Sequence, residues 1–222
     1  MKFILTCQFT FHEPLHLGTG LSQAGVADRT IGLDAKNEPI LRGEAVKGAI
    51  RGSAERLLRW LIPRFSEQEE QDDHSLPPLP TLERIFRGGG KPPFYRFDAG
   101  VYQDGGKLQQ IAATRIESQT GVAANQTLRI LQSWTPGARF QITLRGFQGQ
   151  WADLGHTDFQ DLTLLLTALV CTDAIGGRKG SGHGGLQISQ LRCDQLTLPK
   201  LDDPAQLEAL KRHLLSEVRA HA

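Results

Sequence analysis

The chain has 222 residues, enough for one or two domains with a substantial hydrophobic core. Hydrophobic residues make up 39% and charged residues 22%, and the formal net charge of +1 excludes a strong overall basic field. This balance disfavours a protein that slides non-specifically along DNA but allows a local basic groove. The three cysteines form no paired motif and no apolar run is long enough for a membrane span, so we expect a cytoplasmic protein without a membrane partner.

The residue pattern in the first third of the chain predicts a strand, a long loop and a helix. Phe3 to Phe11 alternates apolar and polar residues, the pattern of a half-buried strand. His12 to Asn37 is rich in glycine, and a loop of that length is often functional. Glu44 to Ile62 carries an apolar stripe at helical spacing and is followed by Pro63, which ends a helix.

The remaining segments complete an α+β pattern. We expect an acidic, proline-rich insertion at about 66–81, a short helical turn at 82–86, a second strand at 97–101 and an extended arm at 105–129. These are followed by a third strand at 139–147, a buried helix at 158–173, a closing strand at 187–191 and a C-terminal helix at 203–221. The order β, α, β, β, α, β is that of the ferredoxin-like (RRM-like, split βαβ) fold. We therefore expect residues 1–222 to form a single domain with insertions.

The most distinctive segment runs from Ile175 to Leu186, where six of twelve residues are glycine. It also carries Arg178, Lys179 and His183, and a basic loop with accessible backbone amides suits phosphate binding. Its glycines match the spacing of the dinucleotide fingerprint, but a helix precedes them and a strand follows, the reverse of what that motif needs. No Gly-Lys-Ser/Thr sequence is present, which excludes a P-loop.

Six separate stretches follow one another in the order of a known family. They are Leu15 to Gly20, the spaced acids from Val26 to Asp34 before Pro39-Ile40, Gly43 to Arg51, Arg96 to Ala99, Thr114 to Phe140 with its Thr-Gly and Pro-Gly pairs, and the glycine-rich loop. With these motifs the chain resembles the RAMP superfamily. Within it, the chain is similar to the repeated Csm/Cmr-like backbone subunit of type III CRISPR effector complexes, with subtype III-D as the narrower match.

The resemblance implies a subunit that stacks with neighbouring copies or paralogues along a guide crRNA. It also implies complementary target RNA, a large polymerase-like subunit and a small subunit as partners. The residues it assigns to RNA binding are Gly18, Gly20, Arg42, Lys47, Arg51, Arg115, Gly177, Arg178, Lys179, Gly180, Gly182, His183 and Gly184. The chain departs from the family at the helix start, where Arg42, Glu44 and Ala45 replace a proline and two serines.

The arm at 105–129 resembles the thumb hairpin of the family, which displaces one nucleotide at each subunit. Ile111, Ile116 and Val122 would insert between bases, and Arg115 would reach the backbone. Displacing a base costs a few kcal/mol and exposes the adjacent phosphodiester.

Asp28 matches the acid that cleaves target RNA in the family. The resemblance implies a metal-dependent endoribonuclease in which the 2′-hydroxyl attacks the neighbouring phosphate and Asp28 binds Mg²⁺ or orients the hydroxyl. A single carboxylate needs waters and phosphate oxygens to complete a magnesium site. Asp34 is interpreted as structural.

Two other functions remain open from the sequence. The subunit would bind crRNA without catalysis, or it would be a RAMP-type crRNA-processing endoribonuclease that uses His12 and His16 as acid and base without metal. A zinc site formed by His12, His16 and a cysteine is a further alternative.

Overall fold

The computed structural model describes residues 2–22, 27–61, 82, 85, 86, 95–114, 116–125, 127–147 and 164–194. The predicted acidic insertion, the C-terminal helix, the first part of the predicted helix at 158–173 and Arg115 lie outside these residues. Leu82, Ile85 and Phe86 are helical and buried, as expected for the short turn.

Seven strands and two longer helices are described. In chain order they are β1 (Lys2–Phe11), α1 (Gly43–Leu61), β2 (Tyr95–Phe97), β3 (Val101–Asp104), β4 (Leu108–Ala113), β5 (Arg129–Trp134), β6 (Arg139–Phe147), a helix over 164–170 that we call α2, and β7 (Leu186–Cys193). A short 3-10 turn at Lys179–Ser181 lies between α2 and β7.

The main sheet has the strand order β2-β6-β1-β7, and β3 also pairs with β6, along a different part of that strand. All of these pairings are antiparallel. Strand β1 therefore lies between β6, the third strand of the core, and β7, the last one, which is the ferredoxin-like arrangement. The α+β prediction is confirmed.

Alternation along β1 positions the hydrophobic core. Leu5, Cys7, Phe9 and Phe11 point to one side and are buried. The stripe of α1 recurs every four residues at Val46, Ile50, Ala54 and Leu58, and all of these are buried, as is every residue of α2. Burial raises the pKa of the Cys7 thiol far above its usual range, so this cysteine remains protonated.

The opposite side of the sheet is polar. Thr6 and Gln8 of β1 are directly opposite Thr143 and Gln141 of β6, and Gln8 is also opposite Ser189 of β7. These five side chains are uncharged and none is aromatic, while the charged Arg192 of β7 is also opposite Thr6. We call this set the polar face.

The second predicted strand, 97–101, is interrupted in the structure. β2 ends at Phe97 and β3 starts at Val101, because Gly100 instead pairs with Leu41, whose carbonyl accepts a 2.7 Å hydrogen bond from the Gly100 amide. A side chain at Gly100 would come within 2.9 Å of Ile142. The break is therefore caused by a contact that is distant in sequence.

The arm is a two-stranded hairpin of β4 and β5 and extends beyond its predicted end at Arg129. Its base, Leu131–Trp134, is buried. Trp134 exchanges two 2.8 Å backbone hydrogen bonds with Leu15, and its indole donates to the Gly105 carbonyl at 2.9 Å. The base of the hairpin thus belongs to the core, whereas Ile116, Val122 and Leu128 near the tip are exposed.

This division predicts different stability effects at the base and the tip. Ala113 and Arg129 are directly paired, so Asn-Gly can replace residues 114–128 as a two-residue turn. We expect this deletion to change the free energy of unfolding by less than about 1 kcal/mol. Trp134→Ala should cost about 3–5 kcal/mol. Urea denaturation of both variants measures the difference, and a deletion as destabilising as Trp134→Ala would show that the tip is part of the core.

Candidate nucleic-acid interface

Four segments that are distant in sequence surround one pocket of about 350 Å3. They are the loop after β1, the extended segment at 27–32, the start of α1 and the beginning of the glycine-rich loop. The lining residues include His16, Gly18, Thr19, Arg29, Arg42 and Gly177. We call this site the arginine pocket, because Arg29 and Arg42 are its charged residues.

Both arginines can accept an anionic ligand. Arg29 and Arg42 are exposed, and neither forms an ion pair within the part of the chain that the structure describes. Guanidinium groups form planar, paired hydrogen bonds with phosphate oxygens. The pocket therefore has the charge and the donors to hold a phosphate.

The floor of the pocket contains His16, which is only 4% exposed. Its Nδ1 lies 2.7 Å from the carbonyl oxygen of Gln132, at the base of the hairpin. The Gly177 amide donates to the carbonyl of His16 at 2.9 Å. His16 thus connects the hairpin to the glycine-rich loop.

A second, more open groove of about 780 Å3 lies between the start of α1 and β2. Arg42 lines both this groove and the arginine pocket, and Lys47 lines the groove. Arg96 and Arg145 also line it, but both are held by Asp98, at 2.9 and 2.6 Å. Glu44 in the first turn of α1 also lines the groove, so the positive charge that Arg42 and Lys47 carry beyond the pocket is partly offset there.

The glycine-rich loop is anchored at several points. Its amides at Gly184 and Gly185 donate to Pro14 O at 2.8 Å and to the Glu13 carboxylate at 3.1 Å. The amides of Ser181 and Gly182 bond within the 3-10 turn. Internal bonds thus occupy many of the amides that the sequence suggested for phosphate binding. Side chains remain available, because Arg178 and Lys179 are exposed.

Asp28 lies beside the base of the hairpin and is exposed. Its amide donates to Ile130 O at 2.8 Å, and its Oδ2 accepts the Ile130 amide at 2.6 Å. The next residue, Arg29, lines the pocket. Asp34 differs, since its Oδ1 accepts the amides of Lys36 and Glu38, which agrees with its structural interpretation.

The described residues contain no cluster of three or more potential metal ligands. The alternative zinc site of His12, His16 and a cysteine therefore has no ligand set in this part of the chain. Asp28 has one carboxylate oxygen engaged by the Ile130 amide, which leaves the other for a cation. Such a donor suits a Mg²⁺ ion that takes its remaining ligands from phosphates and water.

Comparison with protein families gives one match over most of the chain. The family model of the RAMP superfamily matches residues 8–187. The chain belongs to the RAMP superfamily. The matched range contains the arginine pocket, the groove, Asp28 and the glycine-rich loop of this RAMP chain.

Solved structures confirm the RAMP fold. One similar chain comes from the type III-B Cmr-beta structure in its apo state, with 10% identity, a TM-score of 0.55, and coverage of 87% of this chain and 98% of that one. Another comes from type III-B Cmr-beta bound to cognate target RNA, with 15% identity and a TM-score of 0.55, and the match covers 86% of this chain and 60% of that one. The comparison with curated proteins gives no significant match.

None of the described helices is long and apolar enough to cross a membrane.

The structure brings together some of the residues predicted for RNA binding in this RAMP chain and separates others. Gly18, Arg42 and Gly177 line the arginine pocket, and Lys47 lines the adjoining groove. Arg51, one helical turn further, instead pairs with Glu55 at 2.9 Å. Exposed positions outside the pocket lining are Gly20, Arg178, Lys179, Gly180 and Gly182. Gly184 is buried, and the Nδ1 of the partly buried His183 lies 3.1 Å from Ser181 O.

Sequence reasoning missed Arg29 and Gln132. Arg29 enters the pocket because its carbonyl accepts the Gln132 amide at 2.9 Å, which aligns segment 27–31 with β5. That pairing joins residues about a hundred positions apart, and no local pattern announces it. The one available signal was the position of Arg29 next to Asp28 in a glycine-bearing loop.

The anchoring of the loop predicts unequal effects of two glycine substitutions. Gly184 has a φ of +80°, and a Cβ there would stand 2.0 Å from Ile175 O. Gly184→Ala should therefore destabilise the protein by about 1–3 kcal/mol. Gly180→Ala is the matched control, since no atom lies within 4 Å of its Cβ position and its φ is ordinary. Chemical denaturation compares the two, and equal stabilities would contradict the anchored loop.

Proposed function

We propose that this RAMP protein is a backbone subunit of a type III CRISPR effector complex, where it binds crRNA and contacts target RNA. The proposal is carried by the convergence on one pocket of two glycine-bearing loops and two arginines that have no ion-pair partner among the described residues. The similar solved chains come from type III-B Cmr-beta, one of them bound to cognate target RNA, which supports this assignment. Its partners would be neighbouring copies or paralogues, the large polymerase-like subunit and the small subunit, in the cytoplasm.

The crRNA backbone would follow the basic surface from the arginine pocket into the groove. Arg29 and Arg42 would hold one phosphate, and Lys47 and the α1 N-terminus would favour the next. Arg178 and Lys179 would add charge from the glycine-rich loop. Contacts of this type neutralise phosphates without selecting a sequence, as a subunit that accepts many guides requires.

The hairpin would displace a nucleotide. Its exposed apolar residues Ile116, Val122 and Leu128 are suited to contact base faces, and its buried base fixes the direction of the arm. Ile130, at the junction of arm and core, bonds with Asp28. A displaced base would therefore expose its phosphodiester near the Asp28 carboxylate.

The proposed reaction is cleavage of target RNA at that phosphodiester. The 2′-hydroxyl of the displaced nucleotide would give its proton to water and attack the adjacent phosphorus to form a 2′,3′-cyclic phosphate. The bond from phosphorus to the 5′-oxygen would break, and that oxygen would take a proton from water. Asp28 would orient the hydroxyl and, together with phosphate oxygens, hold Mg²⁺, which when bound supplies positive charge to the phosphate. The Ile130 amide fixes the position of the carboxylate.

A subunit without catalysis is the second candidate, and one contact favours it. The bond from the Ile130 amide to Asp28 Oδ2 gives this carboxylate a structural task even without RNA. The third candidate, a metal-independent processing nuclease that uses His12 and His16, has less support, because His16 is buried and bound to Gln132. Cleavage of repeat RNA by the purified chain without metal would favour that third function.

RNA binding should depend on salt through the pocket arginines. Arg29→Gln combined with Arg42→Gln should weaken binding and reduce the slope of log K against log salt by about 0.7, because one fewer phosphate is neutralised on a single strand. Arg178→Ala combined with Lys179→Ala should likewise weaken RNA binding and reduce its dependence on salt. Arg56→Gln is the control, since Arg56 pairs with Asp173 and lines neither site. Titration at several salt concentrations gives the slopes, and an unchanged slope in the pocket variant would remove the arginines from the interface.

Asp28→Asn separates catalysis from structure. The amide oxygen of Asn can still accept the Ile130 amide, so we expect folding and RNA binding to persist while cleavage falls about 100-fold or more. Wild-type cutting should be regularly spaced along the target and should stop with EDTA. Asp34→Asn is the control and should cut normally. Assembled complexes with labelled target and Mg²⁺ provide the assay, and normal cutting by Asp28→Asn would leave the non-catalytic function.

A further inference from the structure

The hydrogen bond of His16 fixes which ring nitrogen carries the proton. The Gln132 carbonyl, 2.7 Å from Nδ1, can only accept, so Nδ1 must donate. In its neutral form the ring then presents Nε2 as an acceptor. Within the described part of the chain Nε2 has no hydrogen-bond partner, although the residue is 4% exposed. Nε2 is not among the fully enclosed unpartnered atoms of the described residues, so it keeps access to the pocket, where a ligand or water can pair with it.

Two glycines keep the edge of this ring uncovered. A Cβ at Gly18 would stand 3.2 Å from His16 Nε2, and a Cβ at Gly177 would stand 3.2 Å from Cδ2. Both glycines line the arginine pocket, as does His16 itself. The ring edge therefore faces the space in which a ligand would lie.

The other uncharged polar side chain of the pocket, Thr19, is already engaged. The hydroxyl of Thr19 lies 2.8 Å from that of Thr30 and accepts the Leu21 amide at 3.0 Å. Nε2 is thus an acceptor ready for a donor on the ligand, beside two guanidinium groups ready for an anion. A ligand that carries a phosphate and a hydroxyl close together satisfies both requirements.

The character of the walls favours a sugar-phosphate unit over a base. Proteins commonly stack unpaired bases on aromatic rings or guanidinium planes. The only aromatic ring in the lining is the imidazole, which presents its edge, the two guanidinium groups are those that would hold the phosphate, and the apolar residues are Leu17, Ile40 and Ala45. Among the hydroxyls of a ribose-phosphate backbone, the 2′-hydroxyl is the free donor that distinguishes RNA from DNA.

We propose that His16 recognises the ribose 2′-hydroxyl of the nucleotide whose phosphate is held by Arg29 and Arg42. This inference rests on the proposed RNA-binding function and adds a selectivity device to it. His16 would make the subunit prefer RNA over DNA of the same sequence, while the arginines bind both.

The expected effect is local and modest. A single 2′-deoxy substitution at the nucleotide in the pocket should weaken wild-type binding about three- to ten-fold, the value of one hydrogen bond. Substitutions at nucleotides outside the pocket should have smaller effects. In complexes with several stacked copies, the sensitive positions should recur once per subunit.

Two variants isolate the pocket-facing nitrogen. In His16→Asn, the amide group can still donate to Gln132 O, but nothing replaces Nε2. In Gly18→Ala, the added methyl group would shield Nε2 while His16 and the arginines are retained, with a shift of the ring by a few tenths of an ångström. Both should remain folded by circular dichroism and denaturation. Both should bind the RNA and its 2′-deoxy versions equally.

The test measures dissociation constants of the full-length chain for a single-stranded RNA, for versions with one 2′-deoxy position each, and for DNA of the same sequence. Selective binding by the wild type that is lost in His16→Asn and Gly18→Ala supports the proposal. Equal wild-type affinity for RNA and DNA overturns it but leaves the proposed function intact. Selectivity that survives in both variants removes the role from His16. Failure of the wild-type chain to bind any of the RNAs contradicts both the inference and the proposed function.

Discussion

The short segment from Glu13 to His16 holds the candidate interface together through buried backbone hydrogen bonds. Leu15 exchanges two 2.8 Å bonds with Trp134, which fixes the hairpin. Pro14 and His16 offer their carbonyls to the amides of Gly184 and Gly177, which fixes the glycine-rich loop. These bonds are costly to lose once buried, because each leaves an unsatisfied polar group. The positions of the loop, the hairpin and the pocket are therefore determined together.

Local charge distribution explains how a nearly neutral chain can present a basic interface. Many cations on the described surface are matched by nearby carboxylates, as with Arg139, which is held by Asp104 and lowers the pKa of that carboxyl group. Arg29 and Arg42 have no such partner among the described residues. Net charge therefore says little here, because unpaired charge gathered at one pocket determines where an anion can bind.

Periodic segments were predictable from sequence, whereas contacts between distant segments were not. β6 matches its predicted range at 139–147, and α1 begins one residue before its predicted start, because alternation and the four-residue stripe are strong local signals. The break after Phe97 and the buried base of the hairpin depend on Leu41 and Leu15, which lie far away in the chain. The same limitation applied to the site, where motifs indicated Arg42 and Gly177 but only the pairing with β5 reveals Arg29.

The polar face has a consequence for how this chain can vary. Its amides and hydroxyls face one another across strands, where exchange among threonine, glutamine and serine changes stability by a few tenths of a kcal/mol up to about 1 kcal/mol. The residues that line the arginine pocket are not among them. Substitutions can therefore accumulate on this side of the sheet while the pocket stays intact. In the proposed stacked assembly, such drift would let successive subunits acquire different neighbours without altering the pocket.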